Sequence, residues 1–254
     1  MKNIILLISI SLFLFSCEKD SLDEGFENAN PNVKEKLIKQ FELFSDDWSD
    51  ADGTTRINYN SENIITSITS EGSTQFFYYD DFGNLDSITG DSDGFFIDQI
   101  FEEIGDSAVA AYKWGDVLKY DDKGNPEEVE LLRGSLDIPY SPFGGIDEHS
   151  IAYISYDPIP NPFYYSLKAG GIIDVLNNIY LDFGYGPKEL IIAKKMLLFN
   201  FPNLIMVKKI SGSTEAEIHF ENTVDDDDYL TRSEVFFASK YNSETTVLRF
   251  AYKE

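Results

Sequence analysis

One unit recurs along the chain and confines its fold more tightly than any other feature. Arg56-Ile57-Asn58-Tyr59-Asn60 precedes Ile64, Ile65 and Ile68, and Phe77-Tyr78-Tyr79-Asp80-Asp81-Phe82-Gly83-Asn84-Leu85 precedes Ile88. Leu118-Lys119-Tyr120-Asp121-Asp122-Lys123-Gly124-Asn125-Pro126 precedes Val129 and Leu131. Ile154-Ser155-Tyr156-Asp157 leads into Pro158-Ile159-Pro160-Asn161-Pro162. The tyrosines Tyr59, Tyr79, Tyr120 and Tyr156 stand 20, 41 and 36 residues apart, close to one, two and two units of a single period. Within a unit a β-prone run ends at tyrosine, and an aspartate can bond its own downstream backbone to open a turn. Glycine then accepts the positive φ that closes the turn, and a second β-prone run returns. Each copy is an antiparallel hairpin. A lone hairpin is marginal in water, so the copies must share one buried face. The expected architecture is mainly β: an extended antiparallel meander of hairpin repeats in one twisted or curled sheet.

At Tyr-Asp-x-x-Gly-Asn the chain resembles the YD (Rhs-type) repeat, with Tyr79 to Leu85 and Tyr120 to Pro126 as the two best copies. The Tyr120-Asp121-Asp122-Lys123-Gly124-Asn125-Pro126 hairpin is followed by the Tyr156-Asp157…Asn161-Pro162-Phe163 segment. Together they resemble a Bacteroidetes outer-membrane lipoprotein family of unknown function, over residues 55 to 252. The resemblance implies a sheet of hairpins on an envelope lipoprotein. Asn60 replaces aspartate in the first copy and the fourth copy lacks the turn glycine, which leaves the turn geometry open at those two places.

The N-terminus is Met1-Lys2-Asn3 followed by a nearly unbroken apolar run from Ile4 to Phe15. A basic start and a short apolar run form a secretory signal, expected over residues 1–16. Spanning a bilayer takes about 20 apolar residues, more than this run offers. Leu14-Phe15-Ser16-Cys17 resembles a bacterial lipobox, and Cys17 is the one cysteine in the chain. The resemblance implies diacylglycerol attachment at Cys17, acylation (palmitate or a similar chain) of its new amino group, and a membrane partner held through lipid. Glu18-Lys19-Asp20-Ser21-Leu22-Asp23-Glu24 resembles the lysine-plus-acidic signal that sends Bacteroidetes lipoproteins to the cell surface, with Ser21 as a departure. Residues 17–30 are expected to be a flexible acidic tether, and residues 31–254 a single β-rich domain.

Within that domain Asn30-Pro31 ahead of Val33, Leu37, Phe41 and Phe44 predicts a short N-terminal helix over 31–44. Phe95 to Ile104 has helical spacing and predicts an inserted helix, and Gly170-Gly171 limits any helix in Leu167 to Asn178 to a short one. Leu190 to Phe199 fits a helix or a buried strand. Strands are expected over Leu204 to Ile210, Ala216 to Glu221, Leu230 to Ala238 and Thr245 to Tyr252. The Asp225 to Asp228 run is expected to be a turn.

The formal net charge of −25 sets the body against nucleic acid and anionic surfaces. One cysteine leaves no disulfide framework or thiolate zinc site, and two histidines, His149 and His219, leave little for acid–base chemistry. Gly90-Asp91-Ser92-Asp93-Gly94 has carboxylates spaced as in a calcium loop, but Phe95 and Phe96 stand where further oxygen ligands belong. Asp225-Asp226-Asp227-Asp228 could hold a cation or be a solvated turn. No nucleophile elbow, zincin helix, phosphate loop or dinucleotide fingerprint occurs. With 45 acidic residues, carboxylate pairs at glycosidase spacing arise by chance. Asp20-Ser21-Leu22, Asp86-Ser87-Ile88 and Asp106-Ser107-Ala108 resemble Bacteroidetes O-glycosylation acceptors. Aromatics at 15% pack a sheet core or, where exposed, suit sugar rings and protein contacts. The expectation is therefore a surface lipoprotein that is not an enzyme and uses no cofactor or metal. It would bind a glycan, a peptide or an envelope protein. A carboxylate-dependent glycan hydrolase and an acidic structural or inhibitor protein are the alternatives.

Overall fold

The computed structural model describes residues 22–45, 53–70, 73–90, 95–96, 115–131, 150–175, 197–239 and 243–253. These form one 13-stranded antiparallel sheet with three short helices, as the repeat implies. The strands run β1 (Ile38–Ser45), β2 (Gly53–Tyr59), β3 (Ile65–Ser70), β4 (Ser73–Tyr79), β5 (Leu85–Gly90), β6 (Phe95–Phe96), β7 (Gly115–Tyr120) and β8 (Pro126–Leu131). They continue as β9 (Ser150–Pro160), β10 (Asn200–Lys209), β11 (Thr214–Val224), β12 (Leu230–Ser239) and β13 (Ser243–Tyr252). The helices are α1 (Leu22–Ala29), α2 (Tyr164–Ala169) and α3 (Ile172–Val175). Sheet order is β6-β5-β4-β3-β2-β1-β13-β12-β11-β10-β9-β8-β7. Every strand neighbours its predecessor except at one seam. β13 pairs with β1, while β6 and β7 lie at opposite ends.

The sheet is rolled. At about 4.8 Å per strand, β5 and β8 would lie roughly 48 Å apart if it were flat. Yet the short Asn161–Gly171 stretch touches both neighbourhoods. The Asn161 amide donates to the Phe199 carbonyl at 2.9 Å, and the Phe199 amide donates to Asn125 Oδ1 beside β8 at 2.7 Å. A Cβ at Gly171 would meet Leu85 of β5 at 3.3 Å. Phe163 lies edge-on to Phe41 of β1 and Phe250 of β13. The concave face therefore wraps α2, and Phe26, Phe163, Tyr164, Leu167 and Ile172 fill it together with Phe41, Ile57, Ile65, Val129 and Phe250.

Two expectations near the N-terminus exchange places. Residues 38–44 of the predicted helix belong to strand β1, whose Phe41 and Leu43 oppose Phe250 and Leu248. A register shift between Ile38 and Gln40 puts Ile38 and Phe41 on one face, so a bulged strand mimics helical spacing. The helix lies instead in the predicted tether. Leu22, Phe26 and Ala29 are spaced four and three apart on α1, and Asp23 and Glu24 sit in its first turn, where the helix dipole favours anions. Phe26 is buried and stacks on Tyr164 with ring centroids 3.7 Å apart.

Further on, Phe95 and Phe96 belong to strand β6, not to an inserted helix, because they pair with Ile88 and Ser87. The rest of that helix, 97–104, lies outside the described residues, as does most of the segment 190–199. The Leu167–Asn178 expectation is met by the end of α2 and by α3. The four C-terminal strands and the Asp225–Asp228 turn form where expected.

Candidate functional site

The turns of the repeat gather at one end of the rolled sheet. At Asp80 the main-chain amide donates to the Asn84 carbonyl at 2.9 Å, and the Gly83 amide to the Asp80 carbonyl at 3.0 Å. Asp80 Oδ1 accepts the Phe82 and Asn84 amides, each at 2.8 Å. Asn60 and Asp121 repeat this pattern, Asn60 with its amide oxygen in place of the carboxylate. The position that closes each turn has positive φ: Gly83 at 83°, Gly124 at 86° and Asn63 at 65°.

Asp225 builds a further copy that lacks the sequence signature. Its Oδ1 accepts the Asp227 and Tyr229 amides at 2.9 and 3.0 Å, and Asp228 takes φ 62° where glycine stands in the better copies. The fourth sequence copy does not turn at Asp157. β9 runs on to Pro160, and Asp157 accepts from Asn203 at 3.1 Å and Asn222 at 2.9 Å. The turn comes at Asn161, whose Oδ1 accepts the Phe163 amide at 3.0 Å.

The acidic run of this last turn is already occupied by cations of the chain. Lys36 binds Asp225 at 2.7 Å and Asp227 at 3.0 Å, and Lys34 also pairs with Asp227. Among the described residues no cluster of three metal-ligating side chains occurs. Asp91 and Asp93, His149 and Cys17, where lipid attachment is expected, lie outside the described residues. His219 is exposed on β11 with Nε2 3.3 Å from Glu217 Oε2. Among the described residues, the carboxyls that depart from their ordinary value, Asp23, Asp80, Asp225 and Asp227, lie below it. A glycosidase acid needs the opposite shift.

The convex face of the sheet carries a row of charged side chains, with Phe44, Leu204, Met206, Phe236 and Val247 also on that face. Arg56, Glu42, Arg249, Arg232, Glu234, Glu217 and His219 occupy successive outward positions from β2 to β11, and Arg56, Gln40 and Glu42 form one hydrogen-bonded row. The described strands enclose an apolar core on the concave face and carry charged and apolar side chains together on the convex one. Among the described residues no helix is long and apolar enough to cross a membrane.

Two exposed aromatics stand together on this face. Phe76 and Tyr78 point outward from β4, 47% and 50% exposed. Tyr78 lies opposite Ser87, and Phe76 lies between Ser67 and Thr89. The Thr69 and Thr74 hydroxyls bond to each other at 3.1 Å across the same face. Elsewhere Phe82, Tyr120, Tyr153 and Phe236 are exposed at separate places, Tyr153 beneath the Lys208 ammonium. The sequence marks Phe77-Tyr78-Tyr79 as a strand but does not say which of these rings turns outward. Alternation from the turn at Asp80 is the signal that does.

The class defined by these features is a rolled antiparallel meander with a filled concave face. No protein-family model matches the chain, nor does any curated protein. Among solved structures it is similar to a porin-like protein from Bacteroides uniformis, at 11% identity and a TM-score of 0.28, over 85% of this chain and 98% of that one. A porin-like protein from Bacteroides vulgatus matches at 15% identity and a TM-score of 0.28, over 79% of this chain and 66% of that one. Both TM-scores are too low to carry fold or function to this chain.

Proposed function

We propose that the protein is a lipoprotein of the bacterial outer membrane. It is anchored through lipid on Cys17, faces the cell exterior and acts as a non-catalytic binding module for a glycan. The Leu14-Phe15-Ser16-Cys17 sequence and its following lysine and acidic residues support the anchor and the address. The observation that carries the binding role is the outward pair Phe76 and Tyr78, set among the hydroxyls of Ser67, Thr69, Thr74 and Thr89. Rings two apart on a strand sit about 7 Å from each other on one face. They offer a flat apolar surface for sugar rings while the bordering hydroxyls exchange hydrogen bonds with sugar hydroxyls. None of these six side chains is charged, which suits a neutral polysaccharide better than a charged peptide.

The experiment is a glycan array probed with the mature chain and with Phe76→Ala/Tyr78→Ala, the fold of both checked by circular dichroism. The expected result is binding that the double substitution abolishes. Binding that survives it removes β4 from the proposal. A blank array removes the glycan and leaves a peptide or envelope protein as the partner.

A further inference from the structure

We infer that the molecule stands on the membrane with its Asx-turn end toward the lipid and the β10–β11 hairpin at Lys209–Ser213 pointing away. The inference rests on the lipid attachment at Cys17 proposed above and adds a geometry to it.

Leu22, the first residue of α1, follows Cys17 by five positions, and five residues reach at most about 18 Å when fully extended. α1 is fastened rather than loose. Phe26 is 1% exposed and stacks on Tyr164, and Asp23 accepts from the Tyr164 hydroxyl at 2.8 Å and from Lys168 at 2.9 Å. At its other end Asn30 Nδ2 donates to the Phe199 carbonyl at 3.0 Å.

These contacts lie at the turn end. A Cβ at Gly124, in the Asp121 turn, would meet the Phe199 ring at 3.1 Å, and one at Gly25 of α1 would meet the same ring at 2.8 Å. The far hairpin is separated from this end by the length of β11, whose 11 residues span roughly 37 Å. The greatest reach of the chain between lipid and α1 is thus about half the height of the sheet. A body tethered so shortly at one mouth cannot invert, and its far hairpins are the parts presented to the surroundings.

The test uses the full lipidated chain in phosphatidylcholine vesicles that carry a headgroup-linked energy acceptor. A donor dye is placed on one introduced cysteine at a time: Asp81→Cys or Glu62→Cys at the turn end, Ser211→Cys at the far hairpin. All three positions are exposed. Transfer should be several-fold stronger from positions 81 and 62 than from 211. A flexible Gly/Ser insertion between Asp20 and Ser21 should lower transfer at 81. Equal transfer from both ends, stronger transfer from 211, or no response to the insertion overturns the orientation. Labelled palmitate incorporation in the same preparations, with Cys17→Ala as control, reports the anchor separately. Label without the transfer difference defeats the orientation alone, and absence of label defeats the anchor and the orientation with it.

Discussion

The Tyr79 hydroxyl donates to the Ile65 carbonyl at 2.8 Å, fastening the last residue of β4 to the first residue of β3. The relationship recurs wherever a tyrosine ends its strand beside an earlier one. Tyr59 closes β2 onto Ile38 of β1 at 2.8 Å, and Tyr252 closes β13 onto Leu230 of β12 at 2.6 Å. Tyr156 of β9 reaches the Pro126 carbonyl at the start of β8. At Tyr79-Asp80 the two residues of the signature therefore do different work: Asp80 closes its own hairpin, while Tyr79 joins that hairpin to the one before. Burial holds Tyr79, Tyr156 and Tyr252 neutral well above the usual phenol range and pushes Tyr59 up to about 12.

Tyr79→Phe keeps the ring and removes the latch. A lost hydrogen bond that strands a carbonyl at the edge of the core costs about 1–2 kcal/mol. Tyr78→Phe, one residue away on the solvated face, should change stability by less than about 0.5 kcal/mol. Urea unfolding of both variants measures the difference. Equal midpoints would mean the latch contributes nothing.

Asn125 and Asn84 occupy the same place in two turns and should respond unequally to alanine. Asn84 is exposed, and its side-chain amide donates to Asp80 Oδ2 at 2.9 Å. Asn125 is fully buried. Its Oδ1 accepts the Phe199 and Asn200 amides at 2.7 and 2.9 Å, and its Nδ2 donates to Asn200 Oδ1 at 3.0 Å. Asn125→Ala leaves several buried groups without partners, for a loss of about 3 kcal/mol or more. Asn84→Ala should cost no more than about 1 kcal/mol. Thermal unfolding of the two variants tests this, and similar melting temperatures would contradict it.

The sheet was legible because the turn chemistry is local. Asp80 and Gly83 set a hairpin without reference to the rest of the chain. The Asp225 copy escaped notice because Asp228 does glycine's work and Val224 stands in tyrosine's place, so the turn survives without its spelling. β1 looked helical because its bulge shifts the apolar register, and only pairing with β13, some 200 residues later, decides between the two. α1 looked like a tether because three apolar residues in eight are too few to mark a helix until Tyr164 supplies a surface for Phe26. The outward pair on β4 was legible only as aromatic content, since exposure depends on which face the rolled sheet closes over.

Gly83→Ala and Gly124→Ala separate backbone strain from crowding. Both glycines have positive φ, and an L-residue there costs roughly 1–2 kcal/mol. At Gly83 a Cβ meets nothing within 4 Å, so the strain is the whole effect. At Gly124 it meets Phe199 at 3.1 Å, and the same ring also lies against Gly25. Overpacking then adds about 1 kcal/mol or more. Chemical denaturation should rank Gly124→Ala below Gly83→Ala, and the reverse order would contradict the close approach at Phe199.

Acid sensitivity should be concentrated where the segment between α1 and β1 meets the β11–β12 turn. Burial alone would raise the Asp225 carboxyl, but Lys36 and the Tyr229 and Asp227 amides outweigh it and hold the group below 3.8. Lys34 and Lys36 hold Asp227 below the same value. Because both native carboxyls release their protons more readily than in the unfolded chain, their contribution is complete above pH 3.8 and drains away as pH falls through the native values. Lys36→Met removes the shared cation and should move the acid-unfolding midpoint, followed by circular dichroism, to higher pH. In 1 M salt, where the screening length is about 3 Å, the gap between Lys36→Met and wild type should narrow but persist in part, because Lys36 is the less exposed of the two lysines. An unmoved midpoint in Lys36→Met would show that these carboxylates owe their low values to the backbone amides of the turn instead.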